Sequence, residues 1–208
     1  MSFEVWLAFV AASAALLAVP GPVVMLLFST TLGRGRSVSI AAVPGVVLGD
    51  FAAMTVSLMG AGAVLSASAT LFTILKILGA AYLVWLGIQM WRTDAKPLAL
   101  KTAARNRSRL TVFRQAFLVT AFNPKDIVFF VAFLPQFINP AEPPLAQIIT
   151  IEVTFLAMVL ISNLLWIFLC GTLRDGLKNP ATLRFVNRLG AGCLIGAGAF
   201  TALGRNSA

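Results

Sequence analysis

The chain has 208 residues, 59% of them hydrophobic and 11% charged, with a net charge of +9. Soluble domains carry roughly 25% charged residues, so a soluble fold is excluded. The positive charge sits in loops between apolar runs, which argues against a nucleic-acid partner; two cysteines, Cys170 and Cys193, and no histidine leave neither a disulfide framework nor a soft-metal site.

In chain order, Met1-Ser2-Phe3-Glu4 lacks the basic start of a cleaved signal peptide. A bilayer span needs about 20 residues, and apolar runs predict six. Span 1 covers Val5–Leu32 and is interrupted by Pro20-Gly21-Pro22. Pro20 and Pro22 have no N–H to give the carbonyls of Leu16 and Ala18, and the residues before them are pushed from helical dihedrals. In hydrocarbon each freed backbone group costs several kcal/mol, so such a break is tolerated only against protein or a water-filled cavity. Span 2, Val38–Leu65, holds Pro44, Gly45, Gly49 and Asp50; a turn over Ser66–Thr70 leads to span 3, Leu71–Trp91. The basic segment Arg92–Arg109 follows. Span 4, Phe113–Ile138, is broken at Asn123-Pro124, where Pro124 frees the carbonyl of Thr120. A proline-rich turn, Asn139–Pro144, precedes span 5, Ala146–Leu173, with Glu152 and Asn163. A second basic loop, Arg174–Arg184, precedes span 6, Phe185–Leu203.

The two breaks lie 103 positions apart, from Gly21 to Pro124. Leu78-Gly79-Ala80-Ala81-Tyr82-Leu83 also matches Leu189-Gly190-Ala191-Gly192-Cys193-Leu194. Three spans per half is an odd number, so the second half is expected to be inverted relative to the first. The chain thus reads as one all-α transmembrane domain over residues 1–208: repeat one about 1–91, a basic loop about 92–112, repeat two about 113–208. Paired interrupted helices in two halves are the best sequence pointer to a transporter's binding site. Thirteen of the 16 basic residues flank the 1–2, 3–4 and 5–6 loops, and none lies in the 2–3 or 4–5 loops. The basic loops are therefore expected in the cytoplasm and both termini outside.

The breaks also supply the predicted chemistry. Half-helices starting at Pro22 and Pro124 present N–H groups to an anion, and the preceding half-helices present carbonyls to a cation. A zwitterionic amino acid carries both charges. Asn123 suits an N-cap and Pro124 the first helical position. Lys125, at membrane depth, is a candidate carboxylate ligand; the structural alternative is an ion pair with Asp126 or Asp50. Asp50 and Glu152 fall near equivalent positions of the two halves and are candidates for proton coupling or ammonium binding. Lys76 sits about two turns into its span and reads as structural. Gly45-x3-Gly49 and Gly192-x3-Gly196 permit close helix contact, within or between protomers.

Pro20-Gly21-Pro22, Leu75–Leu83, Asn123-Pro124-Lys125 and Phe129–Phe137 together resemble the lysine exporter/homoserine-threonine exporter (LysE/RhtB) family over nearly the whole chain. Asp126 departs from that pattern, in which the position is usually small or apolar. The resemblance implies a small bacterial inner-membrane exporter of amino acids or close derivatives. It would be dimeric, driven by protons, free of cofactors and bounded by lipid. The substrate would bind at Pro20, Gly21, Pro22, Asn123, Pro124 and Lys125. An exporter of inorganic cations would want more converging carboxylates, and a membrane-embedded enzyme would want a nucleophile with a base at membrane depth, for which no histidine is available.

Overall fold

The computed structural model describes residues 1–18, 20–92, 108–139, 141–176 and 180–203. Most of the basic segment Arg92–Arg109, part of Arg174–Arg184 and Pro140 of the proline-rich turn lie outside them. The described residues are almost wholly helical: α1 Phe3–Ala18, α2 Pro22–Arg34, α3 Arg36–Ile40, α4 Val43–Ala67, α5 Ala69–Arg92, α6 Arg109–Ala121, α7 Pro124–Phe133, a 3-10 turn Leu134–Phe137, α8 Pro144–Gly176 and α9 Pro180–Leu203.

Local chemistry sets the boundaries. Pro22 and Pro124 each occupy the first turn of a helix, where a missing N–H costs nothing. Gly35 ends α2 at φ 86°, a conformation that only glycine adopts without strain, and so turns the chain into α3. The turn between spans 2 and 3 is tighter than Ser66–Thr70. Ser68 alone is extended, and its hydroxyl accepts the N–H of Leu71 at 3.2 Å to cap α5. Ser108 caps α6 in the same way through Thr111 N–H.

Among the described residues, three helical stretches are long and apolar enough to cross a membrane: Arg36–Val64, Thr70–Gln89 and Pro144–Cys170. The count rises to five if each bent pair forms one span, α1 with α2 at 51° and α6 with α7 and its 3-10 turn at 44°. α9 occupies the stretch of the expected sixth span. Large side chains such as Phe51, Met59, Leu78 and Trp85 lie exposed along α4 and α5. An apolar surface of that extent belongs in lipid.

The core is built around α7. Phe129 stacks at 4.8 Å on Phe133, Phe133 meets Phe137 edge-on at 4.9 Å, and Phe130 meets Phe155 of α8 at 5.1 Å. Phe137 carries the cluster to Phe9 of α1 at 5.4 Å. This ring network holds α7 as a stiff post whose polar first turn faces the break.

Glycines set the closest helix approaches. A Cβ at Gly45 would collide with the carbonyl oxygen of Phe113, and one at Gly49 would stand 2.8 Å from both Phe117 O and Thr120 Cβ, so α4 lies directly on α6. A Cβ at Gly192 or Gly196 would meet nothing within 4 Å among the described residues. Between α5 and α9 the contact is antiparallel and reciprocal. A Cβ at Gly87 would stand 2.7 Å from Ile195 Cγ1 and 2.8 Å from Ala191 O, while one at Gly198 would stand 2.7 Å from Val84 Cγ2 and 2.8 Å from Ala80 O. Positions 87, 84 and 80 map to 198, 195 and 191 by one offset of 111, which also relates Leu78 to Leu189.

Candidate functional site

The two breaks meet through one side chain. Lys125, in the first turn of α7, sends its Nζ across to the carbonyl of Leu16 near the end of α1, at 3.4 Å. The same Nζ lies 3.7 Å from Asp126 Oδ1. A Cβ on Gly21 would stand 3.4 Å from it, so the bare glycine between Pro20 and Pro22 makes room for the ammonium.

Asn123 is the hub of the second break. Its Oδ1 accepts the N–H of Lys125 at 3.3 Å, and its carbonyl accepts those of Asp126 and Ile127 at 3.1 and 3.0 Å. Its Nδ2 donates to Asp126 Oδ2 at 2.6 Å. The start of α7 is thereby saturated, which departs from the expectation that it offers donors to an anion. The start of α2 differs. Gly21 caps it without a side-chain bond, and the first intrahelical bond runs from Met25 N–H to Gly21 O at 3.1 Å. The N–H groups of Val23 and Val24 precede that bond and are the orphan donors every helix start carries.

The carbonyls divide likewise. Leu16 O accepts from Lys125, whereas Thr120 O accepts from Asn123 N–H at 3.0 Å and so differs from the open carbonyl expected there. Leu17 O accepts from the indole of Trp166 on α8 at 3.4 Å, with that ring edge-on to Phe28. Trp166 had no place among the candidates. Its signal was available, because an indole N–H in mid-span must find an acceptor and a broken helix has carbonyls to spare.

Asp50 comes to this cluster from α4. It is 4% exposed, its Oδ1 has no hydrogen-bond partner among the described residues, and the charges of Asp126 and Lys125 bear on it. The adjoining Gly49 presses on Thr120, whose hydroxyl is also fully buried and unpartnered. Glu152 is not part of the group. It accepts a 2.6 Å bond from Thr55, five residues further along α4. The structure thus brings Lys125, the first turn of α2 and the buried side chains of Asp50 and Thr120 to the surroundings of the two breaks. The apolar groove between α4 and α8, lined by residues such as Val43, Val47 and Leu160, has no polar lining to offer.

Residues 5–204 match the family model described as LysE type translocator. The chain belongs to the LysE type translocator family. Among similar proteins, the homoserine/homoserine lactone efflux protein of Salmonella typhimurium is 33% identical over 207 residues, the whole of both chains. An uncharacterized membrane protein of Vibrio cholerae is 33% identical over 95% of this chain and 96% of its own. The leucine efflux protein of Enterobacter sp. is 33% identical over 58% of this chain and 57% of its own. No solved structure matches.

In this LysE type translocator, Asn123→Ala removes the α7 cap and leaves Asp126 to Lys125 alone. The cap alone is worth about 1 kcal/mol. The expected result is a lower unfolding midpoint in detergent, partly recovered by Asn123→Ser, which keeps a capping oxygen.

Proposed function

We propose that this LysE type translocator exports amino acids or close derivatives across the bacterial inner membrane in exchange for protons, by alternating access around its two breaks. The observation that carries this reading is the convergence on both breaks of Lys125 with the unpartnered Asp50. Relatives named for the efflux of homoserine, homoserine lactone and leucine support it, since all three compounds carry an α-amino group. The substrate's carboxylate binds at Pro20, Gly21, Pro22 and Lys125, against a second break fixed by Asn123 and Pro124. Its ammonium binds at Asp50.

The chain crosses the membrane six times, with α9 as the last span. Its halves form an inverted repeat, a reading supported by the reciprocal α5–α9 contact. The exposed Gly192 and Gly196 give α9 a smooth face for a second protomer. Both termini lie outside, in keeping with the loop charges. A cysteine replacing Ala104, in a background without Cys170 and Cys193, is therefore expected to react with impermeant reagents from the cytoplasmic side only. Labelling from outside intact cells rejects this topology.

The function itself is tested by uptake of radiolabelled leucine and homoserine into inverted membrane vesicles. Accumulation is expected when the vesicle interior is acidic, and collapse when a protonophore is added. Uptake no greater than in vesicles lacking the protein rejects the exporter.

A further inference from the structure

Around the breaks, ionisable groups come as two carboxylates and one ammonium. Asp126 is committed, with Oδ2 held by Asn123 at 2.6 Å and Oδ1 facing Lys125 at 3.7 Å. Lys125 is engaged by Asp126 and Leu16 O. Asp50 remains, buried, with one oxygen that has no hydrogen-bond partner among the described residues. The charges of Asp126 and Lys125 on α7 bear on Asp50. Further titratable groups on the helices packed on α4 include Arg36 on α3, Lys76 and Tyr82 on α5, Arg109 and Arg114 on α6 and Glu152 on α8. An unpaired charge at membrane depth is costly, so the Asp50 carboxylate calls for a proton or a cationic group of its own. Among the described residues, Asp50 Oδ1 and the hydroxyls of Thr120 and Ser13 are buried without a hydrogen-bond partner, and Thr120 packs against Gly49, the residue preceding Asp50.

We infer that a proton and the substrate's ammonium compete for Asp50, one for one, with Thr120 as the second ligand of the ammonium. The inference rests on the export function proposed above and gives it a coupling rule: the empty site carries the proton, the loaded site carries the substrate, and no state carries both. On binding, the O–H bond of Asp50 breaks, its proton leaves to solvent, and the carboxylate accepts an N–H of the ammonium. Asp126 then keeps Lys125 from pairing with Asp50.

The purified protein tests this by calorimetric titration with leucine or homoserine in two buffers of different ionisation enthalpy, between about pH 5 and 7, below the usual α-amino range. The chain has no histidine to confuse the count in that range. The expected result is net release of up to one proton per substrate bound, with affinity rising as much as tenfold per pH unit where release is complete. Asp50→Asn is expected to bind more weakly, with no release and no pH dependence, and Asp50→Glu to restore the release. Thr120→Val is expected to weaken binding while leaving the proton count intact. Saturable binding by the wild type with no proton released across the range overturns the competition but leaves the exporter standing. No saturable binding of either compound at any pH overturns both. The wild-type measurement decides even if the variants fail to fold.

Discussion

Lys125→Met is expected to weaken binding of leucine or homoserine roughly ten- to 150-fold. A hydrogen bond to a charged group is worth about 1.5–3 kcal/mol, and each 1.4 kcal/mol is a factor of ten. The structure explains why the lysine is available. Charge-assisted N–H···O bonds run about 2.7–2.9 Å, whereas Lys125 reaches Leu16 O at 3.4 Å and Asp126 at 3.7 Å. An arriving carboxylate offers a shorter bond, reinforced by the first-turn N–H groups of α2. Methionine keeps the bulk of the side chain and removes the charge. Compounds whose carboxylate is masked, such as homoserine lactone or leucine methyl ester, should lose little. Calorimetry or tryptophan fluorescence on purified protein measures both series. Equal loss for free and masked compounds makes Lys125 a structural cation, and no loss for either places the carboxylate elsewhere.

Gly49→Val is expected to be the most damaging substitution outside the charged cluster. A Cβ there would stand 2.8 Å from the backbone oxygen of Phe117 and 2.8 Å from Thr120 Cβ, closer than real Cβ atoms come. Neither neighbour can swing away, because one is backbone and the other a buried branched side chain. Overpacking of this kind costs about 1–3 kcal/mol. In a chain of this size each kcal/mol lowers the unfolding midpoint by about 2–4 °C. The displaced helix is α6, which leads directly into the second break, so α4 and Asp50 separate from Thr120 and Lys125. Binding should therefore fall even in the fraction that folds. Gly192→Val, on an open face, is the control for detergent-solubilised protein and should leave the midpoint unchanged. Equal midpoints for the two variants would show that α4 and α6 are not pressed together at Gly49.

What could be read from the sequence is what proline and asparagine decide locally. The breaks at Pro20–Pro22 and at Asn123-Pro124, and the cap by Asn123, follow from missing N–H groups and a short polar side chain within two residues of them. The ion pair of Lys125 with Asp126 was readable as one of two alternatives for the same reason. Contacts across long separations were not readable. Nothing near position 125 says that its ammonium reaches Leu16, 109 residues earlier, or that Trp166 covers Leu17. The glycine pairs show the same limit. Gly45 and Gly49 carry the same spacing as Gly192 and Gly196, yet one pair is filled by α6 and the other faces open space. Thr120 shows a finer one: freeing its carbonyl from Pro124 left it available to Asn123 N–H, one residue nearer, which claimed it.

The α5–α9 contact bears on ancestry. Each helix offers the other a glycine, over which lie a carbonyl and a branched side chain of the partner, placed so that a Cβ on either glycine would stand 2.8 and 2.7 Å from them. A surface that meets its own equivalent in this way is self-complementary, as in a two-fold symmetric dimer. On the inverted repeat proposed above, a gene half this length, its product inserted in the membrane in both directions, would already have the means to make that joint, and fusion of two such genes would fix one copy in each direction.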